Sequence, residues 1–155
     1  MKKTKIKTLI TGILFSLISI LVFNSCCTKK YCYGVDDLDN ISFYGFSQQD
    51  LDSIVIKKYN KNTNFQHILD SVFIEPEHFI SNNEYEMLYL TDNFVIDYDY
   101  EVELLSTGQV YAFTDFTVEK KKCNKGFLCF DYFESLESYK VNGEKQTDSY
   151  LRINK

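Results

Sequence analysis

The chain has 155 residues, 17 of them basic and 22 acidic, for a formal charge of −5; 45% are apolar and 16% aromatic. That apolar content is enough for a core and excludes a disordered chain, and the length suits one domain rather than two. Arg152 is the single arginine, so the chain lacks the basic footprint of a DNA- or RNA-binding protein. Ala112 is likewise the single alanine, while 12 Tyr and 13 Phe join abundant Ile and Val. This bias disfavours helices and favours strands.

The amino terminus predicts export. Lys2, Lys3, Lys5 and Lys7 form a basic start, residues 8–23 follow without a charge, and Asn24-Ser25-Cys26-Cys27 comes next. A basic region, an apolar stretch and a small residue before the cut describe a secretory signal over residues 1–25. A cysteine just after the cut is an acyl acceptor: the Cys26 thiol takes a diacylglycerol, and cleavage then frees an amine for a further chain. Val22-Phe23-Asn24-Ser25-Cys26 resembles a loose lipobox of the kind found in lipoproteins of Bacteroidetes-type bacteria. The competing reading is a membrane span, since residues 8–27 are 20 uncharged residues. Thr11, Ser16, Ser19, Asn24 and Ser25 weaken it. Two or three acyl chains anchor a protein stably, whereas one does not. Residues 1–25 hold four Lys and no acid, so the remainder carries 13 basic and 22 acidic residues, or −9.

Lipidating Cys26 leaves Cys27, Cys32, Cys123 and Cys129, an even number in an oxidising compartment, with three possible pairings. Cys123 and Cys129 flank the turn signal Asn124-Lys125-Gly126, and a hairpin there would favour Cys123–Cys129. Zinc is the alternative, but C-x4-C with C-x5-C is not a usual finger spacing.

Residues 26–40 are polar and turn-rich and are read as a lipidated tether, with the folded domain over 41–155. Strands are expected at Ile41–Phe46, Leu51–Tyr59, Phe65–Ile74, Glu86–Leu90, Val95–Ser106, Gln109–Val118, Phe127–Phe133, Glu137–Val141 and Tyr150–Ile153. Pro76 to Glu84 reads as a loop or one helical turn. The clearest pattern is Asp97, Asp99, Glu101 and Glu103 alternating with Tyr98, Tyr100, Val102 and Leu104: one wet face, one buried. Thr107-Gly108 and Asn142-Gly143 are hairpin links. Short strands at intervals of about 8–12 residues predict an all-β sandwich or barrel. We expect a β-sandwich, immunoglobulin-like or transthyretin-like.

The stretches GFSQQDLDSIVIKKY (Gly45 to Tyr59), DYDYEVEL (Asp97 to Leu104), VYAFTDF (Val110 to Phe116) and SYKVNG (Ser138 to Gly143) resemble a loose group of Bacteroidetes envelope lipoproteins. The resemblance covers most of the domain and implies a small β-sandwich on a lipid anchor. It carries over no catalytic residues.

Each candidate for chemistry has a plainer structural explanation. The row Asp97, Asp99, Glu101, Glu103 would offer a cation surface, but a straight strand does not wrap calcium, and a solvated face is expected. Asp36, Asp37, Asp39 and Asn40 lack the order of a calcium loop. Asp50 and Asp52 sit at a strand start, where a side chain fixes a turn. His67 is expected in a strand and His78 in a loop, and neither belongs to a hydrolase motif. Tyr98, Tyr100, Tyr111 and Tyr132 would stack on a sugar or protein if exposed, but the core is expected for Tyr98 and Tyr100. No metal, cofactor or catalytic residue is assigned.

The expected function is a non-catalytic binding or accessory module of the cell envelope, held by its lipid at the outer membrane, on the periplasmic face or the cell surface. Its partner would be an envelope protein or glycan, not nucleic acid. Two alternatives stand beside it: an inhibitor or immunity lipoprotein against a toxin or lysozyme, whose basic charge the −9 would suit, and a small envelope hydrolase.

Overall fold

A computed structural model describes residues 31–75, 79–81, 84–92, 94–124 and 130–155. Residues 1–25, Cys26, Cys27, His78 and Cys129, for which the sequence raises expectations, lie outside these. The described residues are nearly all β, as composition predicts, in two sheets of four and six strands.

The strands are β1 (Asn40–Tyr44), β2 (Ile54–Asn60), β3 (Asp70–Ile74), β4 (Phe79–Ser81), β5 (Tyr85–Tyr89), β6 (Tyr98–Leu104), β7 (Gln109–Lys122), β8 (Tyr132–Val141), β9 (Glu144–Gln146) and β10 (Leu151–Asn154). The smaller sheet runs β10-β1-β5-β4 and the larger β3-β2-β6-β7-β8-β9. β1 pairs antiparallel with β5 and parallel with β10, so the first and last strands lie side by side.

The chain divides into two compact units. The larger, residues 33–120 and 134–155, holds one core with contributions from both sheets. Ile41 and Phe43 of β1, Leu88 of β5 and Leu151 of β10 face Ile54, Val102, Phe113 and Tyr139 of the larger sheet, all essentially sealed from solvent. Two faces with period-two apolar residues close on each other because each has apolar surface to remove from water. Phe113 and Tyr139 stack at 5.8 Å between centroids.

The alternation slips once. Tyr111 and Phe113 of β7 face inward, but so does Phe116, while Asp115 is exposed with φ 53°. A left-handed residue inside a strand adds one residue to the repeat, as a bulge does, and returns an aromatic side chain to the core. Asp115 then pairs with Lys140 at 2.8 Å.

Four local expectations change. Val35 and Leu38, read as tether, are buried in the core, and Leu38 O accepts a hydrogen bond from Phe94 N at 2.9 Å. A 3-10 turn at Val35–Asp37 aims both side chains inward. The third strand begins at Asp70, not Phe65, because Asn62, Asn64, Phe65 and His67 all have positive φ and cannot extend a ladder. The segment read as a loop contains β4, and Tyr132–Val141 is one strand rather than the end of one and the whole of another.

The described residues of the smaller unit are 31–32, 121–124 and 130–133. Here the cysteine expectation is corrected: Cys123 is bonded to Cys32, not to Cys129, with Cα atoms 5.8 Å apart. A turn signal points to partners close in sequence, whereas a disulfide needs only close Cα atoms and facing Cβ vectors, at any separation. Cys123 N donates to Asp131 O at 2.9 Å, and Asn124 Nδ2 to Asp131 Oδ2 at 2.9 Å.

Candidate binding surfaces

The acidic row of β6 does not form an open cation site. On the face of the larger sheet turned away from the core, Lys57 Nζ sits 2.6 Å from Glu103 Oε2, and the Tyr59 hydroxyl donates to Glu101 Oε2 at 2.6 Å. Asp99, only 7% exposed, accepts from Asn62 N at 3.0 Å. The register of β2 on β6 explains this, since it sets Lys57 opposite Glu101 and Tyr59 opposite Asp99, one step from their partners. Burial raises the Asp99 carboxyl, and burial followed by Glu101 pushes the Tyr59 phenol up to about 12. The expected wet face is thus partly covered, because the β2–β3 connection folds over it and Phe65 meets Tyr59 edge-on at 5.2 Å.

The other acidic candidates serve local structure. Asp37 Oδ2 accepts from Gly34 N at 2.9 Å and closes the 3-10 turn. Asp39 Oδ1 accepts from Asn40 Nδ2 at 2.8 Å. Asp50 Oδ2 accepts from Ser47 N and Ser47 Oγ, each at 2.8 Å, and meets Lys155 Nζ at 2.8 Å. These partners, Lys155 first, hold the Asp50 carboxyl down at about 2. Asp52 and His67 are exposed, and His67 lies in the connection rather than in a strand. Among the described residues no three His, Cys, Asp or Glu gather as a metal site.

Of the tyrosines singled out in the sequence, Tyr100 and Tyr111 are buried and Tyr132 is exposed. Tyr98 is half-buried, with Lys58 Nζ 3.9 Å from its ring centre. Two concavities stand out instead. The first, about 540 Å³, opens beside the edge strand β3, between Ile56, Lys58, Asp70 and Val72 on one side and Phe94 and Val95 on the other. Near it Ile68, Leu69 and Phe73 are about half exposed. It mixes aliphatic walls with charges of both signs, and no histidine lines it.

The second concavity, about 290 Å³, lies on the face of the smaller sheet turned away from the core. Asn40, Ser42 and Tyr44 of β1 point outward, because Ile41 and Phe43 between them point in. Across the ladder Ser42 lies opposite Met87 and Arg152, and Tyr44 opposite Tyr85. Tyr33 and Tyr150 also line the hollow. A small side chain among large ones makes the depression, so Ser42, only 2% exposed, lies at its bottom and tyrosines stand at its rim.

The polar groups of this hollow are partly committed. The Tyr33 hydroxyl donates to Asp39 Oδ1 at 3.4 Å; outside the lining, Arg152 Nε lies 2.9 Å from Asp148 Oδ2. The Tyr44 and Tyr85 rings lie 5.0 Å apart. Hydrogen bonding with Tyr150, then burial, pushes the Tyr44 phenol up to about 12; burial and Asp39 do the same for Tyr33. Both are neutral hydroxyls at ordinary pH. The Ser42 hydroxyl and the Asn40 amide oxygen accept no hydrogen bond from any described residue. Sequence reading missed this set because its members come from four separate segments. The available signal was the alternation in Asn40–Tyr44 and Tyr85–Tyr89, with tyrosine at the outward positions. No protein-family model, no curated protein and no solved structure matches the chain.

Proposed function

We propose that this is an envelope lipoprotein, acylated at Cys26, whose β-sandwich acts by binding rather than by catalysis. The observation that carries the reading is the hollow of Tyr33, Tyr44, Tyr85 and Tyr150 around Ser42. Binding sites are concave, with aromatic walls and a few placed polar groups, and residues held in a ladder keep that geometry without reorganising. The basic start, uncharged stretch and Ser25-Cys26 junction support export and lipidation.

The inhibitor or immunity reading ranks behind it. The −9 charge favours a basic target, but Asp99, Glu101 and Glu103 already have partners within the sheet. Among the described residues no set of groups favours the hydrolase reading.

The test is retention of envelope material on the immobilised full chain, in detergent, against the double variant Tyr44→Ala/Tyr85→Ala. The expected result is a component retained by the parent and lost by the variant. Equal retention by both proteins would move the binding surface elsewhere.

A further inference from the structure

We infer that the tyrosine-rimmed hollow takes a neutral sugar of an envelope glycan, with the pyranose seated over Ser42 and beside the paired Tyr44 and Tyr85 rings. The inference rests on the binding-module reading above and adds the class of ligand.

Three features of the hollow select this class. The first is its position. β1 is paired on both sides, with β5 and β10, so its backbone groups are spent in ladders. An extended peptide adding to a sheet needs a free edge, and here there is none. Recognition must come from side chains alone.

The second is the chemistry of those side chains. A sugar ring has C–H faces bounded by hydroxyls that donate and accept. Tyrosine offers an apolar face and a hydroxyl on one rigid side chain with little rotamer freedom to lose. Ser42 adds a group that both donates and accepts, and the Asn40 amide oxygen adds an acceptor; neither is satisfied by a described residue. A purely apolar ligand would leave these polar groups dry and unpaired, which is costly.

The third is charge. Among the described residues no lysine, arginine or carboxylate lines the hollow; Arg152, opposite Ser42 in the ladder, lies outside the lining with its Nε 2.9 Å from Asp148 Oδ2. Asp39, the nearest carboxylate below Tyr33, is engaged by Tyr33 and Asn40. An anionic ligand would meet no cation in the lining, and a cationic one no carboxylate. A neutral, hydroxyl-rich ligand meets neither obstacle. The volume of about 290 Å³ fits a short terminal stretch of sugar, at the small end of ligand sites.

The test uses the full chain in an amine-oxide detergent, which brings no sugar headgroup of its own. The chain has 12 Tyr and no Trp, so the tyrosine signal sums over all of them, and the Tyr85 variants assign the change to the hollow. Oligomers of glucose, mannose, galactose and N-acetylglucosamine are titrated in turn. The expected result is a saturable tyrosine signal with at least one of them. Tyr85→Ala should weaken it about tenfold or more, Tyr85→Phe should weaken it less, and Tyr89→Ala, outside the hollow, should leave it unchanged. Circular dichroism and urea unfolding of Tyr85→Ala beside the parent separate loss of the ring from misfolding.

No titration with any neutral oligomer would overturn the sugar assignment. If envelope material is nevertheless retained in a manner that Tyr44→Ala/Tyr85→Ala abolishes, the hollow is a binding site for another class of ligand. If neither response depends on these tyrosines, both the sugar and the binding site are wrong.

Discussion

Cys32 and Cys123 are joined across 91 positions of the chain, a separation that no local turn would suggest. Closing a loop of that size restricts the unfolded chain, an effect of roughly 4–5 kcal/mol in the chain-entropy account and commonly less when measured. Cys32→Ser or Cys123→Ser is therefore expected to lower unfolding free energy by roughly 2–5 kcal/mol. Cys129→Ser should leave this bond in place. Peptide mapping without reductant should recover a Cys32–Cys123 linked pair. A Cys123–Cys129 pair would restore the hairpin pairing instead.

Tyr139 illustrates a buried polar group whose needs are met. Its hydroxyl donates to Tyr150 O at 3.0 Å and accepts from Arg152 N at 2.8 Å. Tyr139→Phe keeps the stacking on Phe113 but strands an amide and a carbonyl, at a cost of about 1–3 kcal/mol. Phe113→Ala removes a fully buried ring and should cost about 3–5 kcal/mol. Urea unfolding checks both. A Tyr139→Phe protein as stable as the parent would mean that water replaces the hydroxyl.

The alkaline limit of stability should involve buried phenols. Burial pushes Tyr100 up to about 12, and burial with Glu101 does the same for Tyr59. A phenol whose folded value lies above its unfolded value near 10 favours the fold fully below pH about 10, and loses that contribution as pH rises through about 12. Ultraviolet titration should show an early group of phenols and a late group that ionises together with unfolding. A single transition near the ordinary value would contradict the burial of these rings.

The acid limit works in the other direction. Lys155, then Ser47, holds Asp50 down at about 2. A depressed carboxyl contributes stability above its unfolded value near 4, and this is lost as pH falls through about 2. Asp50→Asn should flatten the stability profile between those values and release the Lys155 ammonium, while Lys155 N stays bonded to Tyr44 O. Asp50 lies at the surface, so the effect should be small and reduced by salt. An unchanged acid profile in Asp50→Asn would assign the slope to other carboxylates.

The anchor is tested by Cys26→Ser. The expected outcome is loss of acyl mass and release from membranes after carbonate washing, with the same β-rich circular dichroism. A Cys26→Ser protein that stays in the membrane would favour the uncleaved span over residues 8–27.

Much of the strand pattern was legible because burial on one face imposes a period of two. Residues 97–104 show it plainly, as does the Asn142-Gly143 link, where φ values of 51° and 84° suit those two residue types. The β2–β3 connection was less legible. Phe65 belongs to a residue type that favours extended chain, yet it adopts positive φ, a tertiary choice that overrides local preference. The same applies to Leu38, whose place in the core depends on contacts far along the chain.

Composition and alternation by themselves determined that this chain builds β-sheets, because aromatic and β-branched side chains at every second position have one stable way to leave water. Which strand lies beside which was decided only by the tertiary structure. That pairing joined Cys123 to Cys32, set Lys57 and Tyr59 against the acidic row, and gathered Tyr33, Tyr44, Tyr85 and Tyr150 around Ser42. Pattern is a property of neighbours along the chain, whereas a site is made by residues that only the packed sheets bring together.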